Sequence, residues 1–161
     1  MEVTAEVRLI AVAEVRGDGR PIEGVTESFL QYALAVRMHA TGMSEPTRHT
    51  GGCHCGKVRF AVTCDTTKAT ACNCSICSKM GWLLAFAPAG AFELVSGEDE
   101  LTDYQFHNKH IHHVFCRTCG VRSFGWGNTK TGDKMYSVNL RCLDDVDANA
   151  AEVTWFDGKS L

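Results

Sequence analysis

The sequence predicts a mainly β protein: one domain of short antiparallel strands with one short helical turn, preceded by an N-terminal extension. Three observations carry that expectation. From Arg48 onward, short runs of apolar residues recur between Gly, Asp and Asn, the punctuation of strands rather than of long helices. The chain has 161 residues, enough for one domain with its own core and too few for two. Seven of the nine cysteines fall in C-x-C or C-x-x-C spacing, which presents sulfurs to an ion rather than to a strand face.

Composition removes several classes. A hydrophobic fraction of 45% and a charged fraction of 22% are ordinary globular values and argue against disorder. No apolar run approaches the ~20 residues of a membrane-spanning helix. A net charge of -3 with a pI near 6.1 lacks the basic excess of a nucleic-acid-binding domain. The N-terminus carries Glu2, Glu6, Glu14, Asp18, Glu23 and Glu27, which fits neither a secretory signal nor an acid-poor organellar presequence. A cytoplasmic location is therefore the expectation, with clustered thiols serving as metal ligands rather than disulfides.

Residues 1–42 contain no cysteine and differ in character from the rest of the chain. Val3, Ala5, Val7 and Leu9 alternate with polar residues as a strand does, and residues 26–38 suit a helix. This segment is either an appended or mis-started piece or an extension that packs on the domain at 43–161. Within the domain, strand-like runs cover Lys57–Thr63, Trp82–Ala87, Ala91–Val95, Leu101–Phe106, His113–Phe115, Val121–Trp126, Met135–Leu140 and Glu152–Phe156. The helical turn is expected after Cys74.

The cysteines form three groups. Gly52-Cys53-His54-Cys55-Gly56 places two sulfurs on a tight turn, where glycine permits the backbone angles that bring them together. Cys116-Arg117-Thr118-Cys119-Gly120 has the C-x-x-C-G form of a zinc-ribbon knuckle. About 60 residues separate the two pairs, a distance that a sheet can close. Together they offer the four thiolates of a closed, tetrahedral structural site. Between them lies Cys72-Asn73-Cys74-Ser75-Ile76-Cys77, three sulfurs so close in sequence that they share an ion if one is present. Catalytic zinc usually keeps three protein ligands and leaves a fourth place for substrate, so this group has the count that chemistry needs.

Other readings stand beside this one. The thiols could hold iron–sulfur clusters, although glycine-bearing knuckles suit zinc better. Cys64, or one of His107, His110, His112 and His113, could close the second group as a fourth ligand. Otherwise Cys64 and Cys142 are packed thiols and the histidines are solvated or core residues, with His110 and His112 on one strand face and His113 on the other. Trp82, Phe86 and Trp126 read as core before they read as a substrate platform.

Read together, Gly52 to Phe60, Cys72-Asn73-Cys74-Ser75-Ile76-Cys77, Phe115 to Gly120, Val138 to Asp144 and Phe156-Asp157-Gly158 resemble the glutathione-dependent formaldehyde-activating enzyme family, which also contains centromere protein V. The resemblance runs from about Arg48 to the end. It implies a β-tent-like fold holding two zinc ions per chain, a structural one on Cys53, Cys55, Cys116 and Cys119 and a second on Cys72, Cys74 and Cys77. It also implies a carbon–sulfur lyase, an S-(hydroxymethyl)glutathione synthase, whose partners are a small glutathione-like thiol and a small aldehyde. No glutathione-binding residue and no general acid or base is assigned, so the catalytic residues are unknown beyond the second zinc site. The competing reading is a non-catalytic zinc-binding module for protein, microtubule or nucleic-acid interaction. Against it stand the mildly acidic charge and the absence of a basic tail. Zinc storage is a third reading.

Overall fold

The structure, a computed structural model, describes residues 44–160. The strand and helix expected within residues 1–42, and the boundary after residue 42, lie outside the described residues. Ten strands build two sheets: β1 (Thr47–Gly52), β2 (Arg59–Cys64), β3 (Lys68–Cys72), β4 (Leu84–Pro88), β5 (Phe92–Ser96), β6 (Leu101–Tyr104), β7 (Ile111–Cys116), β8 (Phe124–Asn128), β9 (Lys134–Asn139) and β10 (Glu152–Phe156). A single turn of helix, α1 (Cys77–Met80), comes after β3. The smaller sheet has the order β1-β2-β5 and the larger β10-β3-β4-β9-β8-β7-β6. The fold is therefore mainly β, as expected.

Packing of the two sheets follows from strand alternation. Phe60 and Val62 point from β2 into the core at 1% and 0% exposure, and they meet Phe124, Val138, Ala85 and Ala87 of the larger sheet. Phe60 lies on Phe92 and edge-on to Phe124, with ring centroids 5.5 Å apart in each pair, and Phe92 stacks on Tyr136 at 3.9 Å. Apolar burial of this kind contributes about 25 cal/mol per Å² removed from water, and the aromatic contacts add to it. After β5 the chain reverses at Gly97, whose φ of +87 and approach to the Lys57 carbonyl leave no room for a side chain; a Cβ there would lie 2.3 Å from that oxygen. This close passage brings β6 and the turn after Cys55 together.

The strand boundaries depart from the sequence expectation for identifiable reasons. β7 reaches back to Ile111, because Tyr104 pairs with His113 and Trp126 with His112. β8 starts only at Phe124, since the Val121 carbonyl is engaged in closing the turn after Cys116. Two strands lie outside that expectation altogether. β1 (Thr-Arg-His-Thr-Gly-Gly) has almost no apolar content and exists through its full antiparallel register with β2. β3 (Lys-Ala-Thr-Ala-Cys) has only small side chains beyond its first residue, and it is held in parallel register by β10 and in antiparallel contact by β4. The β3/β10 pair is the parallel exception in an otherwise antiparallel arrangement.

Replacing Phe60, the largest of the side chains under 2% exposure, should show where the stability resides. Phe60→Ala is expected to cost about 3–5 kcal/mol, read as a fall in the urea midpoint at unchanged slope.

Candidate metal centres

The first cluster is built from two turns closed by the same backbone hydrogen bond, with their cysteines at different spacing. Between β1 and β2, the Cys53 N–H donates to the Val58 carbonyl at 3.0 Å and the Gly56 N–H to the Cys53 carbonyl at 3.1 Å. After β7, the Cys116 N–H donates to the Val121 carbonyl at 3.0 Å and the Gly120 N–H to the Cys116 carbonyl at 2.8 Å. Gly56 and Gly120 both take left-handed φ values, +78 and +73, which L side chains rarely adopt. Glu100 ties the turns together, accepting from Lys57 Nζ at 3.2 Å and from Thr118 Oγ1 at 3.1 Å. The result gathers Cys53, Cys55, Cys116 and Cys119 with every Sγ within 4.8 Å of the others.

These sulfurs fit a metal ion. Cys53 and Cys55 Sγ are 3.5 Å apart and Cys55 and Cys116 Sγ 3.6 Å, close to the roughly 3.8 Å edge of a tetrahedral zinc thiolate with ~2.3 Å bonds. Crowding divides the protons unevenly. Cys119 falls to about 6, through the N–H of Val121 and then that of Cys55. Cys53 is lowered too: burial opposes its thiolate, but the Val58 N–H and the thiols of Cys55 and Cys116 outweigh it. The Lys57 N–H favours a Cys55 thiolate, yet desolvation and the three neighbouring sulfurs push this thiol up to about 12. Four sulfurs gathered this closely suit a cation, and the cluster could hold one.

The second cluster occupies the end of β3 and the start of α1. Cys72 closes the strand, Cys77 opens the helix, and Cys74 lies on the turn between them. The Ser78 N–H bonds the Cys74 carbonyl at 3.0 Å, and Gly81, left-handed at φ +62, caps the helix on the Cys77 carbonyl at 2.9 Å. The three Sγ atoms lie within 4.8 Å of one another. Cys72 drops to about 5 because the Cys77 thiol hydrogen-bonds to its sulfur; burial opposes this, and the N–H groups of Cys74 and Gly158 add to it. Cys77 is correspondingly raised, chiefly by Cys72. The charged form is therefore favoured at Cys72 and the neutral thiol at Cys77.

The clusters differ in closure. Among the described residues, no fourth His, Cys, Asp or Glu joins Cys72, Cys74 and Cys77 within that distance. Cys64 sits on β2 in the other sheet at 3% exposure, and burial pushes its thiol up to about 11. Cys142 is half-buried and its thiol donates to the Arg122 carbonyl at 3.8 Å. The histidines of the 107–113 run lie outside the second cluster. His112 stacks on Trp126 at 3.5 Å and bonds Asp103 at 2.6 Å, while His113 is buried with Nδ1 3.2 Å from the Tyr104 carbonyl. His110 precedes β7, so it does not share a strand face with His112. His107 takes φ +50 in the loop before β7, against the ring of Phe106. Trp82 is buried as a core residue, and Phe86 and Trp126 are half-buried.

Sequence reasoning assigns no role to the chain after β10, yet it forms a wall of the second cluster. Phe156 pairs in register with Cys72, so the next turn arrives directly over the sulfurs. A Cβ on Gly158 would lie 2.6 Å from Cys72 Sγ and 3.1 Å from Cys74 Cβ. The available signal is the Phe156-Asp157-Gly158 run; the parallel pairing that gives it meaning is not visible in one dimension.

Known proteins are similar to this chain. Residues 48–158 match the family model described as glutathione-dependent formaldehyde-activating enzyme. A crystal structure of a Rhodobacter sphaeroides protein is similar, with 34% identity and a TM-score of 0.60 over 66% of this chain and 99% of that one.

Two outcomes test this geometry. Gly158→Ala should drive Cys72 or the tail aside, lowering the metal retained by the second cluster while that of the first is unchanged, read by elemental analysis alongside a Cys74→Ser control. Cys64, with a thiol at about 11, presents about one thiolate per thousand molecules at pH 8. Because only the thiolate alkylates, peptide mapping of the folded protein should find Cys64 unmodified at pH 8, with modification growing as pH rises toward 11 and immediate in guanidinium.

Proposed function

Since the chain belongs to the glutathione-dependent formaldehyde-activating enzyme family, we propose that it is a zinc-dependent carbon–sulfur lyase that joins a small glutathione-like thiol to a small aldehyde and cleaves the adduct in reverse. The observation that carries this reading is the contrast between the clusters: four sulfurs complete one, whereas three, with no fourth protein ligand among the described residues, make up the other. Two zinc ions per chain are assigned accordingly, a structural one to Cys53, Cys55, Cys116 and Cys119 and a reactive one to Cys72, Cys74 and Cys77.

The reaction is an addition. The thiol S–H is lost, a carbon–sulfur bond forms at the carbonyl carbon, and the carbonyl oxygen takes a proton to become hydroxyl. When bound, zinc supplies the positive charge that favours the deprotonated form of a thiol arriving beside it. Three thiolate ligands weaken the Lewis acidity available for polarising an aldehyde, which favours delivery of the thiol over activation of the carbonyl. Cys72, Cys74 and Cys77 would hold the ion, and the N–H groups of Cys74 and Gly158 favour the charged form of the Cys72 sulfur. All nine cysteines are free of disulfides, which suits a reducing compartment such as the cytoplasm.

Exchange between thiol, aldehyde and adduct, followed by nuclear magnetic resonance with metal-replete protein, is expected to exceed the spontaneous rate. No acceleration with any of several thiols would sink the lyase reading. Cys74→Ser should lower exchange at least ~100-fold and metal content to one equivalent, because it leaves two thiolates where a metal needs three.

A further inference from the structure

The residue between Cys72 and Cys74 is bonded to the C-terminal tail at every polar atom for which a tail partner exists. Asn73 Nδ2 donates to Asp157 Oδ1 at 2.7 Å, Asn73 Oδ1 accepts from the Lys159 N–H at 2.9 Å, and the Asn73 N–H donates to the Phe156 carbonyl at 3.3 Å. The second Asp157 oxygen accepts from Ser160 Oγ at 2.5 Å, which folds the tail into a turn over Gly158–Ser160. Asn73 and Asp157 are both exposed, and neither supports the core.

Such a concentration of hydrogen bonds on a solvent-facing turn calls for a physical reason, since each exposed bond by itself contributes little to stability. What the four bonds secure is the position of Gly158, whose backbone passes Cys72 Sγ so closely that a methyl group cannot fit. That passage sets the Gly158 backbone against the Cys72 sulfur, which also accepts from the Cys74 N–H at 3.4 Å. Hydrogen bonds to a ligand atom fix its direction and draw charge from it, and losing such partners typically lowers metal affinity or activity 10–100-fold.

We propose that Asn73 and Asp157 are positioning residues of the three-cysteine centre: they latch the C-terminal turn so that the Gly158 backbone holds the Cys72 sulfur in its metal-binding direction and walls off one side of the cluster. The inference rests on reading Cys72, Cys74 and Cys77 as a metal centre. It adds the element that keeps three ligands on a six-residue loop from reorienting or being joined by a further ligand from the tail side. Asn73 suits its position between two ligands because its amide both donates and accepts; aspartate there would repel Asp157, and serine could not span both partners.

The test uses the full chain loaded with cobalt(II), whose sulfur-to-metal absorption reports each centre, and a chelator competition that reads two affinities. Asn73→Ala and Asp157→Ala are expected to weaken the second ion at least ~10-fold and leave the first unchanged, while Asp157→Asn, which keeps the acceptor for Asn73, should stay within about threefold of the parent. Unchanged affinity in both alanine variants would overturn the proposal, as would equal weakening at both centres, which would mark the latch as a support of the fold. An Asp157→Asn defect as large as that of Asp157→Ala would also overturn it. Selective loss of the second ion in a protein that accelerates no thiol–aldehyde exchange would remove the lyase reading and leave the latch standing.

Discussion

Crowded thiols resist ionising together, and much of this protein is arranged around two places where they are crowded. In the four-sulfur cluster the backbone N–H groups of Val58 and Val121 pull Cys53 and Cys119 toward thiolate, while Cys55 is driven the other way by its neighbours. A divalent cation would relieve that conflict, and the relief would be structural because the sulfurs come from different sheets. Cys53 and Cys55 end the β1–β2 hairpin of the small sheet, and Cys116 and Cys119 end β7 of the large one. The cluster is thus a cross-link at one end of the inter-sheet core, and Glu100 repeats the link in hydrogen bonds from Lys57 and Thr118.

The three-sulfur cluster has the opposite design. All its ligand atoms come from one loop of six residues, so it joins no distant parts of the fold through sulfur. Its rigidity comes from around it: β3 is clamped between β4 and β10, α1 is capped at Gly81, and the tail lies against Cys72. A centre that need not hold the fold together is free to leave one ligand place to chemistry. Among the described residues, four sulfurs gather in one cluster and three in the other, the division expected between a structural and a reactive zinc site.

Membership of the glutathione-dependent formaldehyde-activating enzyme family and the observed geometry support each other without being the same evidence. The family match spans residues 48–158 and therefore includes both clusters and the tail through Gly158. The geometry adds that, among the described residues, no histidine and neither leftover thiol joins the second cluster: His112, His113 and Cys142 are hydrogen-bonded elsewhere, and Cys64 is buried on β2.

Read alone, the sequence was sufficient for the fold class, the helical turn beside Cys77 and the grouping of seven cysteines, because strand alternation, glycine turns and ligand spacing are local properties. It could not disclose β1, whose residues are nearly all polar, or β3, whose alanines carry no strand signal until β4 and β10 lie beside them. Nor could it decide whether Cys64 or a histidine closes the second cluster. That depends on which sheet and which face each residue occupies, and register is a property of paired strands. The tail's role at Cys72 was hidden for the same reason: 84 residues separate Asn73 from Asp157, and only the parallel β3/β10 pairing brings them into contact.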